Sequence, residues 1–352
     1  MTTGLLQKRS GIANRIQSGK ERIAREVNDE FFLRHPDWKE RYGERGIRRG
    51  FEDACFHLDF LTAAVAAGNI PAFADYATWA RRMLEARGIA PAYLAENLRQ
   101  LGEAAANILE KDDREFLSPI VLAAVSACER PLPPSESPES AVAIFAQALL
   151  TGNRNGALNI ARAHLNEGQT VKDVYFKLMQ PAMYEIGRLW ETNQITVARE
   201  HLATALAQFV MAQLFPLLIR EETIDRGTAV VAGVQGELHQ IGALMVADSL
   251  ESDGWQVSFL GSNMPHWGIL EALRQEKACL LGISTSILFN LPKAVDLIQT
   301  VRNSCPGVSI MVGGAAFKAT NDLWKEAGAD AFAPDLMAAV SVARQFSKET
   351  RA

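Results

Sequence analysis

Four cysteines in a chain of 352 residues, Cys55, Cys128, Cys279 and Cys305, lie far apart, and none forms a C-x-x-C pair. That spacing argues against a zinc ribbon, an iron–sulfur site or a disulfide framework, and the four read as reduced thiols. Long apolar runs are missing too. The residues after Met1 include Lys8, Arg9 and Arg15 in polar company and lack a signal-peptide core, so the expected location is the cytoplasm, with no membrane partner. Basic charge is not in excess: 36 Lys and Arg stand against 41 Asp and Glu, a formal net charge of −5, which argues against a broad nucleic-acid groove.

What is present divides the chain. Hydrophobic residues make up 48% and charged residues 22%, enough apolar material for two or three domains with cores of their own. The stretch Arg130-Pro131-Leu132-Pro133-Pro134-Ser135-Glu136-Ser137-Pro138-Glu139 gathers four prolines and reads as a linker over 131–139. Before it, apolar and charged residues alternate at helical spacing from about Leu5 to Cys128, as at Phe56, Phe60, Ala63 and Ala64, predicting an all-helical domain over 1–130. After it, helical periodicity over Ala141–Leu150, Gly156–Leu165, Val171–Trp190 and Thr196–Ile219 predicts a four-helix bundle over 140–225. From 226 to 352 short apolar strands alternate with helices. Thr228–Val234, Val257–Leu260, Cys279–Ser284, Val308–Val312 and Ala331–Ala333 predict a doubly wound, flavodoxin-like sheet of five parallel strands, so the fold class is α plus α/β.

Ligands of such sheets sit outside the carboxyl ends of the strands. The loop after the first strand runs Gly233-Val234-Gln235-Gly236-Glu237-Leu238-His239-Gln240-Ile241-Gly242, placing an imidazole between a strand end and a helix start. Neutral imidazole suits cobalt, and a carboxylate such as Glu237 holds the other ring nitrogen and so fixes the tautomer. Gly236 and Gly242 let backbone approach a bulky cofactor. Taken singly, a loop histidine is more often solvated or bonded within the protein. Gly313-Gly314, taken singly, is equally a strand-to-helix turn.

Together these loops resemble the cobalamin-binding family, whose signature is Asp-x-His-x-x-Gly, then a Ser-x-Leu loop, then a Gly-Gly loop. The counterparts are Glu237-x-His239-x-x-Gly242, Ile283-Ser284-Thr285-Ser286 and Met311-Val312-Gly313-Gly314-Ala315-Ala316-Phe317, and the resemblance runs from about Ala141 to Phe346. It implies His239 as the lower axial ligand of cobalt, flanked by Glu237, Leu238, Gln240, Ile241 and Gly242. It also implies a dimethylbenzimidazole tail that leaves cobalt and slots into the sheet beside Ser284, Ser286, Gly313, Gly314 and Ala315. Two positions depart from the family pattern: Glu237 stands for the usual Asp, a longer acceptor, and Ser286 for the usual Leu.

In the bundle, Trp190 is followed after nine residues by Glu200-His201. Thr196 is placed to N-cap the second helix, with Glu200 and His201 in its first turns. Read from spacing alone, Trp190 is more readily a core aromatic and Glu200-His201 an exposed helix face. With the His239 loop beside it, the pattern resembles the light-sensing cobalamin proteins, in which the tryptophan packs over the upper corrin face at a 5′-deoxyadenosyl group. In light-responsive repressors of that group the next residue is a histidine that takes cobalt after photolysis. Here it is Glu191, so a bis-histidine lit state needs His201 in its stead.

The first domain carries Arg34-His35-Pro36-Asp37-Trp38 and a run from Tyr42 to Phe60, with no helix-turn-helix of the repressor kind. Arg45, Arg48, Arg49, His57 and Asp59 suit an extended anionic tetrapyrrole, guanidinium to propionate. Read without the resemblance, the same run is a solvated, salt-bridged helix face. Cys55 offers a thioether to a bilin or simple packing. This domain ahead of a cobalamin module resembles the photocobilins, photoreceptors that pair cobalamin with biliverdin. The expected function is a non-enzymatic adenosylcobalamin photoreceptor, with biliverdin as second chromophore, whose bundle shifts against the sheet in light. No output domain follows Arg351-Ala352, so the signal is expected to leave through light-dependent homo-oligomer assembly or an effector protein. The alternative is a corrinoid carrier of a methyltransferase system, or the cobalamin-binding subunit of a mutase.

Overall fold

The computed structural model describes residues 2–132, 138–218, 225–320 and 322–347. The packing of the chain divides it into two compact units, residues 1–133 with 319–326, and residues 134–318 with 327–352.

The first unit is helical: α1 (Thr2–Arg34), α2 (Pro36–Ala67), α3 (Ile70–Glu85), α4 (Pro91–Asn107) and α5 (Lys111–Glu129). Its stops are chemical. Gly68 ends α2 in the left-handed conformation (φ 64°), and the Asn69 side chain then accepts from Ala72 N at 3.1 Å to cap α3. Within α2 the backbone kinks at Gly43 (φ 57°, ψ −156°), a conformation that costs any residue with a Cβ.

The second unit holds the bundle and the sheet together. The bundle comprises α6 (Ser140–Leu150), α7 (Arg154–Asn166), α8 (Val171–Asp173), a π-helical turn Val174–Met179, α9 (Gln180–Glu191) and α10 (Val197–Leu214), closed by a 3₁₀ turn Phe215–Leu217. Periodicity predicts one helix over Val171–Trp190, and the structure breaks it at the π turn. Pro181 explains the break, because a proline has no N–H to return to the carbonyl four residues back and its ring crowds that carbonyl. Ile219, where the fourth bundle helix was expected to end, lies outside the described residues, as do 133–137 of the linker.

The sheet has β1 (Gly227–Gly233), β2 (Trp255–Phe259), β3 (Leu280–Ser284), β4 (Ser309–Gly313) and β5 (Ala331–Ala333), all parallel, in the order β2-β1-β3-β4-β5. Helices α11 (Ile241–Glu251), α12 (His266–Gln275), α13 (Leu291–Ser304), α14 (Ala315–Lys318), α15 (Leu323–Ala327) and α16 (Leu336–Ala343) connect and flank them. The five expected strands are all present, with ends that differ by up to two residues. Two features of this sheet place the site. The order reverses between β1 and β3, the switch point at which α/β sheets open a crevice. Register then aligns Gly233 with Ser284, Ser284 with Gly313 and Gly313 with Ala333, so the three motif loops leave the sheet at one level.

Bundle and sheet helices share one core. Phe145, Leu149, Tyr175, Leu178, Met211 and Leu214 pack with Met245 of α11 and Leu336 of α16. Tyr175, in the π turn, is fully buried and donates its hydroxyl to Asp248 Oδ2 of α11 at 2.8 Å. Burial pushes the Asp248 carboxyl up to about 6, against the Tyr175 hydrogen bond and with the nearby Glu251 charge adding to the rise. A folded-state value raised above the unfolded one means that the folded protein holds this proton longer. Stability is therefore full below the ordinary carboxylate value near 3.8 and falls as pH rises towards 6. Asp248→Asn keeps an acceptor for Tyr175 and removes the charge. The variant should unfold with less pH dependence than wild type, with a gain of up to about 3 kcal/mol by pH 7. Urea unfolding at pH 4.5 and pH 7 measures it, and parallel pH profiles would exclude this carboxyl as the source.

Candidate functional site

Three loops build the site, and one carboxylate ties two of them. Glu237 is fully buried, its Oε1 accepting from His239 N at 3.0 Å and lying 2.7 Å from His239 Nδ1. Its Oε2 accepts from Ser286 N at 2.7 Å, Ile287 N at 3.1 Å and Asn290 Nδ2 at 3.4 Å. The extra methylene of Glu over Asp lets one carboxylate span from the β1–α11 loop to the β3–α13 turn. Burial pushes this carboxyl up, but the bonds from His239, Ile287 and Ser286 outweigh it and hold it below the usual glutamate value. A buried carboxylate that stays ionised is a strong acceptor, so it fixes Nδ1 of His239 as the protonated nitrogen.

That leaves Nε2. The His239 side chain is 61% exposed at the open end of the sheet. The Glu237 hydrogen bond raises the imidazole above the ordinary histidine value, burial opposes it, and the charges of Glu237 and Glu200 add to the rise. Leu238 beside it is 73% exposed, an apolar side chain facing out at the motif itself. Gln240 and Ile241 are half-buried and Gly242 exposed, at the start of α11.

The residues expected to line a tail slot stand at the same edge. Ser284 ends β3, Ser286 and Gly314 are half-buried, Gly313 ends β4, and Ala315 begins α14. Gly314 has a φ of +99°, and a Cβ there would strike the Thr285 carbonyl and lie 2.6 Å from its carbon. Only glycine lets these two loops touch. Thr285 Oγ1 and Asn290 Oδ1 are buried with no hydrogen-bond partner, and buried polar atoms of this kind call for a partner from a ligand or ordered water. A histidine with one bare nitrogen, two loops brought into contact by glycine and two orphaned polar atoms fit a corrinoid with a nucleotide tail. Among the described residues no group of three or more His, Cys, Asp and Glu is placed to hold a bare metal ion. A corrin, which brings its own four nitrogens, asks the chain for one axial ligand only.

On the cap side, Trp190 is half-buried near the end of α9. Thr196 N-caps α10, accepting from Arg199 N at 3.3 Å. Glu200 Oε2 lies 2.6 Å from His201 Nδ1, and Glu200 Oε1 accepts from Thr204 Oγ1 at 2.9 Å. Val197, Glu200, His201 and Thr204 share one stripe of α10, while Ala203, Leu206, Ala207 and Val210 bury the opposite side. His201 is 75% exposed, and its carboxylate-held ring repeats the Glu237–His239 arrangement. Glu191, by contrast, is 8% exposed, turned into the bundle with its charge felt at Arg188.

The five bilin candidates do not converge. Arg45, Arg48 and Arg49 are exposed on α2, with Arg49 paired to Glu52 at 3.2 Å and Asp53 at 3.4 Å. His57 is buried against Tyr76 of α3, Nδ1 to hydroxyl 2.6 Å, and burial pulls its imidazole down to about 4. Asp59 faces the other way and pairs with Lys20 of α1 at 2.9 Å. Burial raises the Cys55 thiol, so it is held protonated rather than as a nucleophilic thiolate. Sequence reasoning missed Asn290 and the Tyr175–Asp248 pair. A signal for Asn290 existed, a polar residue closing the apolar run Ile287-Leu288-Phe289 just ahead of Leu291-Pro292.

A strand-end histidine held by a buried carboxylate, beside a close glycine contact between two loops at the carboxyl edge of a parallel sheet, defines a corrinoid-binding module. Comparison with known proteins agrees. The B12 binding domain profile matches residues 227–341, and a second profile of the same description matches 143–215. The chain is 30% identical over 166 residues to dimethylamine corrinoid protein 3 of Methanosarcina mazei, covering 46% of this chain and 98% of that protein. It is 30% identical over 141 residues to the HTH-type transcriptional repressor CarH of Myxococcus xanthus, covering 40% of this chain and 46% of that protein. The solved monomethylamine corrinoid protein of Methanosarcina barkeri superposes with a TM-score of 0.51 at 23% identity, over 57% of this chain and 95% of that one, and shares the fold. The chain belongs to the B12-binding family and is a cobalamin-binding protein. Among the described residues no helix is long and apolar enough to cross a membrane.

Proposed function

We propose that this protein is a cytoplasmic photoreceptor that uses adenosylcobalamin as chromophore and biliverdin as a second one, and is not itself an enzyme. The observation that carries the reading is the cap stripe: Trp190 closing α9, and the Glu200–His201 pair in the first turns of α10, within electrostatic range of His239. Bound adenosylcobalamin supplies a cobalt–carbon bond that visible light breaks. The chain does the rest. His239 Nε2 would hold the cobalt, Glu237 keeps that ring aimed, and Leu238 would offer apolar cover to the corrin. Trp190 would keep water from the cofactor on the bundle side, and Glu200 fixes the His201 ring. The core shared by the bundle and α11 is the packed joint along which the cap would shift in light. The signal leaves through altered assembly of copies of this chain or through an effector protein. Arg45, Arg48 and Arg49, exposed past the Gly43 kink, are the propionate partners proposed for biliverdin; His57, buried on Tyr76, and Asp59, paired with Lys20, are not among them.

A corrinoid carrier of a methyltransferase system, or the cobalamin-binding subunit of a mutase, is the second reading. It is favoured by the match over nearly the whole length of a dimethylamine corrinoid protein. One experiment separates the two. Protein loaded with adenosylcobalamin in the dark is illuminated while its spectrum and size-exclusion mass are followed, and both should change. A spectrum and mass that ignore light would sink the photoreceptor and leave the carrier. Added biliverdin should co-elute and absorb red light, and its failure to do so removes the second chromophore.

A further inference from the structure

We propose that the outer face of α10, the row Ala198, Leu202, Ala205, Phe209 and Ala212, is the surface through which two copies of this chain pair. The inference gives a place to the assembly proposed above and does not itself require light. From Leu202 to Leu214 α10 carries no charged side chain, and its apolar residues are spread round the helix rather than gathered on one side. A helix of that kind is covered on every side or meets a partner. Ala203, Leu206, Ala207, Val210 and Leu214 take one side into the core, and Val197, Glu200, His201 and Thr204 lie along a second. With 3.6 residues to a turn, the row from Ala198 to Ala212 falls on a third. Ala198, Ala205 and Ala212 are exposed there, Leu202 is 39% exposed, and Phe209 is half-buried with the Arg154 guanidinium 5.6 Å from its ring centre.

The row steps by four, three, four and three residues, the spacing that keeps side chains aligned with a second helix over about 21 Å. None of its members is charged, so covering them strips no ion of water. What selects a second copy of this chain is the order of sizes. Small, large, small, large, small reads the same in either direction, as a surface must if a twofold axis is to lay it on itself. With that axis at Ala205, the two alanines let the backbones approach, Leu202 of each copy packs against Phe209 of the other, and Ala198 meets Ala212. An antiparallel pair also sets opposite ends of the two helix dipoles side by side. An unrelated partner would place no such demand on the row. Because the Glu200–His201 stripe belongs to the same helix, a movement of α10 at that stripe is also a movement of the contact between copies.

The test uses the full chain loaded with adenosylcobalamin, its mass followed by light scattering at micromolar concentration in the dark and after illumination. Wild-type protein should show the mass of two chains in at least one of these states. Ala205→Glu, an exposed change to a good helix former, sets two like charges together at the axis and should halve the mass while cobalamin content stays as in wild type. Ala205→Cys should join two chains under a mild oxidant on a non-reducing gel, where wild-type protein with its four native cysteines does not. Ala198→Cys alone should stay unjoined, and mixed with Ala212→Cys it should join. A single-chain mass in both light states would overturn the proposal, as would a dimer that survives Ala205→Glu or joins through Ala198→Cys alone. A dimer of this geometry present equally in dark and light supports the surface and counts only against light-driven assembly.

Discussion

His239→Ala should lose cobalamin on gel filtration and leave whatever remains without a nitrogen ligand from the protein. The expected loss exceeds about 100-fold, since removing even an outer-shell partner of a metal-bound histidine costs about 10- to 100-fold. Glu237 fixes the direction of the companion variant. Glu237→Gln keeps most of the volume, but its amide offers one acceptor where the carboxylate receives donors at both oxygens. It should weaken binding less than His239→Ala and broaden the cobalt signal, because the ring loses its fixed tautomer while Nε2 remains. Equilibrium binding of aquacobalamin, with the electron paramagnetic resonance of the reduced cobalt(II) form, measures both effects. In protein carrying 15N-labelled histidine, a 15N splitting of the cobalt(II) signal that survived in the alanine variant would falsify the assignment of His239.

Gly314→Ala should be the most damaging one-carbon change in the sheet domain. Its Cβ would enter the Thr285 backbone, and its φ of +99° suits only glycine. Left-handed backbone costs about 1–2 kcal/mol and overpacking about 1–3 kcal/mol, so a loss of about 2–5 kcal/mol is expected. That corresponds to a fall of roughly 10 °C in Tm, with cobalamin binding impaired because the β3 and β4 loops no longer meet. Gly242→Ala is the internal control: nothing lies within 4 Å of its added carbon, and α11 tolerates it. Equal thermal shifts in the two variants would show that the steric account of Gly314 is wrong.

The sheet and the ligand loop were legible because their signals are local. Five apolar runs of strand length and the spacing of His239, Gly242, Ser284 and Gly313 lie in the sequence itself, and pairing in register only brings them level. The bundle was legible as helices, but the π turn was not, since Pro181 signals a disturbance without saying how the chain absorbs it. Glu237 shows a different limit. Its reach to Ser286, Ile287 and Asn290 joins residues about fifty positions apart, which no short motif encodes. His57 misled for the opposite reason: an imidazole among arginines reads as a ligand contact, whereas two helices close over it and Tyr76 takes its nitrogen. Polarity along a helix says little about which side faces out when both neighbours are helices.

The strand order has a kinetic side. β1 comes first in the sheet but lies between β2 and β3, and each parallel neighbour is reached only through an intervening helix. Pairings of this kind close late, because loop entropy is lost before the contacts form. The His239 loop leaves β1 and is anchored, through Glu237, to the turn after β3, so it has no shape of its own until both sides are in place. On the proposed role of His239, cofactor capture would come at the end of folding in this half of the chain, once both sides of the loop are in place.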